Sequence, residues 1–234
     1  MSRIVVVGGH GRTGQLVVEQ LVKAGDTVVA TIRNPKHMAQ MVKLGAETVI
    51  LDLEKSTGPD FQKIFAGADA IVFAAGSAEG ESSAIDRTGT VKTLRAAASA
   101  GVKRYVSVSS LGGTTPVPKE WKASDEMKEY FAAKRAANKH IRASDLEWTI
   151  IEPGELTDGK PSGKIALSQD GVEADKISRA DVAAVVVAAL KEPKTIGRTF
   201  QIVGGSTAIA TAISKAVAKP APAVGRGKAG RAAN

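Results

Sequence analysis

The chain has 234 residues, 43% of them hydrophobic and 24% charged, ordinary values for one globular domain large enough to bury a substantial core. It has no cysteine, which excludes disulfides, thiolate metal sites and cysteine nucleophiles; its three histidines (His10, His37, His140) are scattered, with no carboxylate cluster at metal-ligand spacing. Half of the net charge of +8 comes from Lys219, Arg226, Lys228 and Arg231 in the acid-free, Pro/Ala/Gly-rich segment 219–234, which is expected to be a disordered basic tail.

In chain order, apolar runs alternate with helical patterns. The expected strands are 3–8, 27–32, 47–51, 70–75, 104–110, 147–153 and 198–204, and most are continuous apolar runs, as in parallel strands covered on both faces. Helices are expected near 12–24, 36–44, 60–66, 83–100, 124–143 and 178–191. This alternation predicts a doubly wound α/β domain of the Rossmann type, with about six to seven strands and helices on both faces, over residues 1–218. The long irregular stretches 111–124 and 154–176 are expected to form the lips of a substrate site, because loops after strand C-termini line the crevice of such folds. The opening run "RIVVV" is too short for a signal peptide, and no apolar stretch is long enough to span a membrane; a cytoplasmic protein without membrane contact is expected.

The segment "VVVGGHGRTGQLVVEQL" places Gly8, Gly11 and Gly14 at G-x-x-G-x-x-G spacing, with Arg12 and Thr13 between them. The loop follows a strand and opens an amphipathic helix, the context a dinucleotide site requires. Backbone without side chains lets a pyrophosphate approach, and the helix N-terminus offers free N–H groups and positive potential. A tight strand-to-helix turn with no ligand is the alternative. No acid occurs from Thr27 through Ala46, where an NAD site would hold the ribose 2′-hydroxyl; the second strand ends instead at Arg33. Arg33 and Arg12 together favour a 2′-phosphate, and so NADP(H) over NAD(H), although either could be a solvated surface residue. Asp52 and Leu53, after the third strand, are candidates for the adenine contact.

At this point the chain resembles the short-chain dehydrogenase/reductase superfamily, and within it the atypical branch of NmrA-like, epimerase-like and biliverdin-reductase-like NAD(P)H-binding proteins. The resemblance spans roughly residues 3–205. It rests on the glycine loop, "GADAIVFAAGS" (67–77), "DRTGTVKTLRAAASAGVKRYVSVSS" (86–110), "YFAAK" (130–134) and "TIIEPG" (149–154). It implies a catalytic set of Ser110, Tyr130 and Lys134, with Ser109 the neighbouring serine and Asp86 where the superfamily has asparagine. Ala75 and Gly76 would line the nicotinamide ribose, and Pro153 would turn the chain toward nicotinamide and substrate. Glu152 stands where relatives often carry arginine and receives no role.

The spacing Tyr130-x-x-x-Lys134 is easily met by chance, but the helix around it adds independent information. Met127, Tyr130, Phe131, Lys134, Ala137, Asn138 and Ile141 fall within an arc of roughly 120°. Lys134 therefore sits in the apolar stripe, where an ammonium needs acceptors; the ribose hydroxyls of a bound cofactor would supply them. A lysine charge beside a phenol stabilises the tyrosinate and makes the phenol a stronger proton donor. The expected activity is that of an NADP(H)-dependent oxidoreductase or epimerase-like enzyme on a small carbonyl or hydroxyl substrate, by hydride transfer with Tyr130 as general acid. The alternatives are a non-catalytic NADP(H)-binding redox sensor and, less favoured, weak polyanion binding by the basic tail; nucleic acid is otherwise not an expected partner. A monomer and a homodimer are equally compatible with the sequence.

Overall fold

In the computed structural model, which describes residues 1–76, 85–115 and 124–220, the apolar runs form one central sheet. The elements in chain order are β1 (Arg3–Val7), α1 (Arg12–Lys23), β2 (Thr27–Ile32), α2 (Met38–Lys43), β3 (Glu47–Ile50), α3 (Gly58–Phe65) and β4 (Ala70–Phe73). A π-helical turn (Ile85–Gly89) leads into α4 (Thr90–Ser99), followed by β5 (Arg104–Val108), α5 (Asp125–Arg142) and β6 (Glu147–Pro153). The last third holds β7 (Glu155–Thr157), β8 (Lys164–Ser168), β9 (Lys176–Ser178), α6 (Arg179–Lys191), β10 (Arg198–Gly204), β11 (Thr207–Ala208) and α7 (Ile209–Ala218).

The sheet has nine strands in the order β11-β8-β10-β6-β5-β4-β1-β2-β3, parallel from β10 to β3, with β8 antiparallel to β10 and to β11. β7 and β9 form a separate parallel pair. The Rossmann-type class holds, with more strands than the six to seven expected. The additions lie in and after the segment expected to be an irregular lip: β8 has a single fully buried apolar anchor, Ile165, and β11 is two residues long, so neither gives a run that stands out in sequence.

Alternate residues of each strand feed two cores. Ile4, Val6, Val28 and Ala30 face α1 and α6, where Val17, Val18, Leu21, Val182 and Val186 are fully buried. Val5, Val7, Ile71 and Phe73 face Phe61 and Phe65 of α3, Leu94 of α4 and Ile141 of α5. Burial on this scale contributes about 1.5–3 kcal/mol for each large aliphatic or aromatic side chain, which is why strands with no polar alternation are stable here. From β1 the chain winds outward to β3 on one side and later from β4 to β10 on the other. The loops after β1 and β4 therefore part at the carboxyl end of the sheet, and the resulting crevice is where open α/β sheets take ligands.

The glycine loop is fixed at that crevice. Gly9 donates to the Thr31 carbonyl at 2.9 Å and Gly11 to the Gly8 carbonyl at 3.0 Å. Gly8 has φ of +80°, and a Cβ there would meet the Ala75 backbone at 2.7 Å; a Cβ on Gly14 would stand 2.2 Å from the Gly8 carbonyl oxygen. Among the described residues, no helix is long and apolar enough to cross a membrane.

Candidate active site

A cleft of about 530 Å³ opens over the carboxyl ends of β1, β2, β4 and β5. Its walls include Gly8, Gly11, Arg12 and Thr13 from the glycine loop, Arg33 after β2, Asp52 and Leu53 after β3, and Ala75 and Gly76 after β4. Tyr130 and Lys134 of α5 close it from the other side. Four expected site residues do not line it. Gly14 is packed under the Gly8 carbonyl and serves the close approach of α1 to the loop. Pro153 is buried at the end of β6. The Ser110 hydroxyl donates to the Leu111 carbonyl at 3.1 Å, and the serine on the wall is its neighbour Ser109, whose buried Oγ has no hydrogen-bond partner among the described residues. Asp86 lies behind the wall, against Lys134. Of the expected lips, Leu156 reaches the cleft, while Pro116, Pro118 and Trp121 lie outside the described residues, as do Ser77 and the tail from residue 221.

The central contact is the Lys134–Asp86 ion pair, Nζ to Oδ1 at 2.7 Å, with both residues 5% exposed or less. The chain thus supplies one acceptor for the ammonium itself, the Asp86 carboxylate, in addition to the ribose hydroxyls expected from a bound cofactor. The Tyr130 ring lies one helical turn away, its centroid 5.4 Å from the ammonium. Burial works to lower the Lys134 pKa, but Tyr130 and Asp86 outweigh it, and the group is held above the ordinary 10.5. Gly76 sits over this pair; a Cβ there would be 3.5 Å from Lys134 Nζ and 3.6 Å from Asp86 Oδ1. The absence of a side chain at residue 76 thus leaves the ammonium open to the cleft. Met127, placed by periodicity on the same stripe, is 44% exposed because the first turns of α5 extend past the core.

At the β2 end, Arg33 and His37 line the cleft, with the His10 ring stacked on His37 at 3.4 Å and nearly parallel to it. Partial burial and the neighbouring His10 hold the His37 pKa below its ordinary value. Asp52 is turned partly to its own chain, its Oδ1 accepting from the Glu54 and Lys55 amides at 2.9 and 3.3 Å. Burial pushes its carboxyl up, but those amides and the Lys55 and Arg33 charges hold it below the ordinary range. Arg12, expected to join Arg33 on a phosphate, is paired with Asp158 at 3.0 Å, and Asp158 also pairs with Arg179 at 2.7 Å. Arg179 lines the cleft and was not legible as a site residue, because one arginine at a helix start carries no distinctive pattern.

Glu152 also gains a place. It is fully buried and accepts from the Thr114 hydroxyl at 2.5 Å, Asn138 Nδ2 at 2.8 Å and Gln201 Nε2 at 3.1 Å. Arg142 donates to Thr114 at 2.9 Å, and Gln201 accepts from the Val172 amide at 3.2 Å, so both lip segments are tied to this one carboxylate. Burial pushes the Glu152 carboxyl up, opposed by its hydrogen bonds from Thr114, Gln201 and Asn138 and by the Arg142 charge.

Fold and cleft together define a Rossmann-type dinucleotide-binding protein. A family model described as NAD(P)H-binding matches residues 8–193, and the chain belongs to that family. It is 36% identical over 220 residues to the uncharacterized sugar epimerase YhfK of Bacillus subtilis, covering 91% of this chain and 99% of that one. A solved structure from Bacillus halodurans, assigned provisionally as an NAD-dependent epimerase/dehydratase, superposes with a TM-score of 0.84 at 32% identity, covering 92% of this chain and all of that one. The oxidoreductase ylbE of Lactococcus lactis gives a TM-score of 0.81 at 27% identity, covering 93% and 97% of the two chains.

Two outcomes follow from the buried charges. Asp86→Ala leaves a buried ammonium without its carboxylate and should cost about 3–5 kcal/mol in denaturant unfolding at pH 7. Because the Lys134 pKa is raised in the fold, its contribution is complete below 10.5 and is lost as pH rises through the folded value; the gap between wild type and variant should shrink only above that point. For Glu152, both of whose oxygens only accept, Glu152→Gln turns an NH2 group toward a donor and should cost about 1–2 kcal/mol, whereas Glu152→Leu strands the buried Asn138 and Gln201 donors and the Thr114 hydroxyl and should cost about 3 kcal/mol or more. Thermal unfolding of the two variants separates these cases.

Proposed function

We propose that the protein is an NADP(H)-dependent oxidoreductase or epimerase-like enzyme acting on a small carbonyl or hydroxyl compound, with Tyr130 as the proton donor. The observation that carries this reading is Lys134: an ammonium buried in the wall of the cleft, one turn from a tyrosine that also faces the cleft. The cleft fits a dinucleotide in size, in its side-chain-free glycine loop and in the cations at its rim. Gly8, Gly11 and Thr13 would hold the diphosphate region, Arg33 the 2′-phosphate, and Lys134 a ribose. When bound, the nicotinamide supplies the hydride.

The chain's own groups do the rest. Tyr130 gives its hydroxyl proton to the substrate oxygen as that oxygen gains charge, and regains a proton from solvent afterwards. Lys134 stabilises the phenolate left behind, and Asp86 keeps the lysine in place and charged. Ser109, the serine on the cleft wall at the end of β5, orients the substrate oxygen by hydrogen bonding. One observation favours a second reading, a non-catalytic NADP(H)-binding sensor: the Lys134 charge is already matched by Asp86, so the pair is stable without turnover.

Tyr130→Phe separates the two readings. In an NADPH-oxidation screen over small aldehydes, ketones and quinones, the variant should lose at least about 100-fold in kcat while its NADPH Kd stays within about threefold. Binding of NADPH with no turnover by either protein would favour the sensor, and equal turnover by both would remove Tyr130 as the proton donor. For the cofactor, Arg33→Ala should weaken NADPH binding about tenfold or more and leave NADH binding nearly unchanged; equal weakening would remove Arg33 from the 2′-phosphate.

A further inference from the structure

Two arginines from separate elements converge on one carboxylate at the edge of the cleft. Arg12, the first residue of α1, places Nη1 3.0 Å from Asp158 Oδ2, and Arg179, the first residue of α6, places Nη1 2.7 Å from Asp158 Oδ1. Both arginines line the cleft. The burial is unequal: the Arg179 side chain is 10% exposed, whereas those of Arg12 and Asp158 are 70% and 64% exposed. Two guanidiniums against one carboxylate leave an excess positive charge beside the glycine loop, of which Arg12 is itself a member. The site is also separate from Arg33. α1 packs beside α6, and α6 lies over β5 and β6, whereas Arg33 follows β2 on the far side of α1.

We propose that Asp158 holds the place of a nucleotide diphosphate, and that Arg12 and Arg179 are its cationic subsite. The inference rests on the dinucleotide reading of the cleft. The chemistry favours exchange. A solvent-exposed carboxylate gains little from an ion pair, while a diphosphate offers several oxygens and more charge to the same two forks, with Arg179 already desolvated and held in position. Exchange also releases Asp158, which lies in the connection between β7 and β8. Nucleotide binding therefore unties the start of that connection from α1, while Asp181 of α6 still holds its end through the Ser162 and Gly163 amides. Because a diphosphate is common to NADPH and NADH, this subsite adds affinity and does not select between them.

The test is calorimetric titration of the full chain, Asp158→Asn and Arg179→Gln with NADPH, NADH and inorganic pyrophosphate. Asp158→Asn should tighten all three by about two- to fivefold, the range that loss of a competing exposed ion pair allows. Arg179→Gln should weaken all three by about tenfold or more, with the NADPH-to-NADH ratio unchanged. Arg179→Lys guards against misfolding and should fall between Arg179→Gln and wild type. Unchanged or weaker binding by Asp158→Asn overturns the proposal, as does an Arg179→Gln effect confined to NADPH, which would move the arginine to the 2′-phosphate. If the wild type binds neither dinucleotide, the parent reading fails by itself. Pyrophosphate then decides the subsite alone: tighter binding by Asp158→Asn supports it, and no change overturns it.

Discussion

A lysine ammonium inside a protein is tolerable only when something replaces the water it has lost. Here that replacement is Asp86, and much of the site's geometry depends on it. Asp86 comes from the π-helical turn ahead of α4, and Lys134 from the middle of α5, so the ion pair clasps these two elements across the carboxyl ends of β4 and β5. With the lysine fixed, Tyr130 is fixed one turn before it at the cleft. Gly76, by having no side chain, leaves the buried ammonium facing the cleft.

The same helix extends this logic away from the cleft. Tyr130, Lys134, Asn138 and Arg142 follow one another at four-residue spacing and therefore share one face. The first two face the cleft, Asn138 donates to the buried Glu152, and Arg142 reaches Thr114, which donates to the same carboxylate. A polar row in an otherwise buried face is costly unless each member has a partner. Lys134 and Asn138 find theirs in buried carboxylates, one joining α5 to the turn ahead of α4 and the other joining α5 to β6, β10 and both lips.

Most of the fold was legible because parallel strands covered on both faces give uninterrupted apolar runs; the runs at 27–32, 147–153 and 198–204 coincide with strands end to end. The elements that were not legible lie where burial is one-sided or brief. β8 presents the pattern of a loop with one apolar anchor. In α7, Ile209, Ala212, Ile213 and Val217 do repeat at helical spacing, but the signal is faint among small alanines. In the cleft, the glycine loop, Tyr130 and Lys134 were legible from sequence because each pattern is a fixed local spacing, and the fold brings them to one wall-lined space. Asp158, Arg179 and Glu152 were not, because each acquires its role from a partner distant in sequence, such as Arg12 to Asp158 or Glu152 to Gln201. Only the tertiary structure brings them together.

The central claim is that this cleft aligns a nicotinamide with the Tyr130–Lys134 pair. A crystal structure of the protein with NADPH tests it most directly. The account predicts the nicotinamide C4 and the Tyr130 hydroxyl facing one shared substrate space, with room for a carbonyl group within about 4 Å of both, and Lys134 Nζ bonded to a ribose hydroxyl. A cofactor whose adenosine half fills the cleft while its nicotinamide lies in solvent, remote from Tyr130, would contradict it.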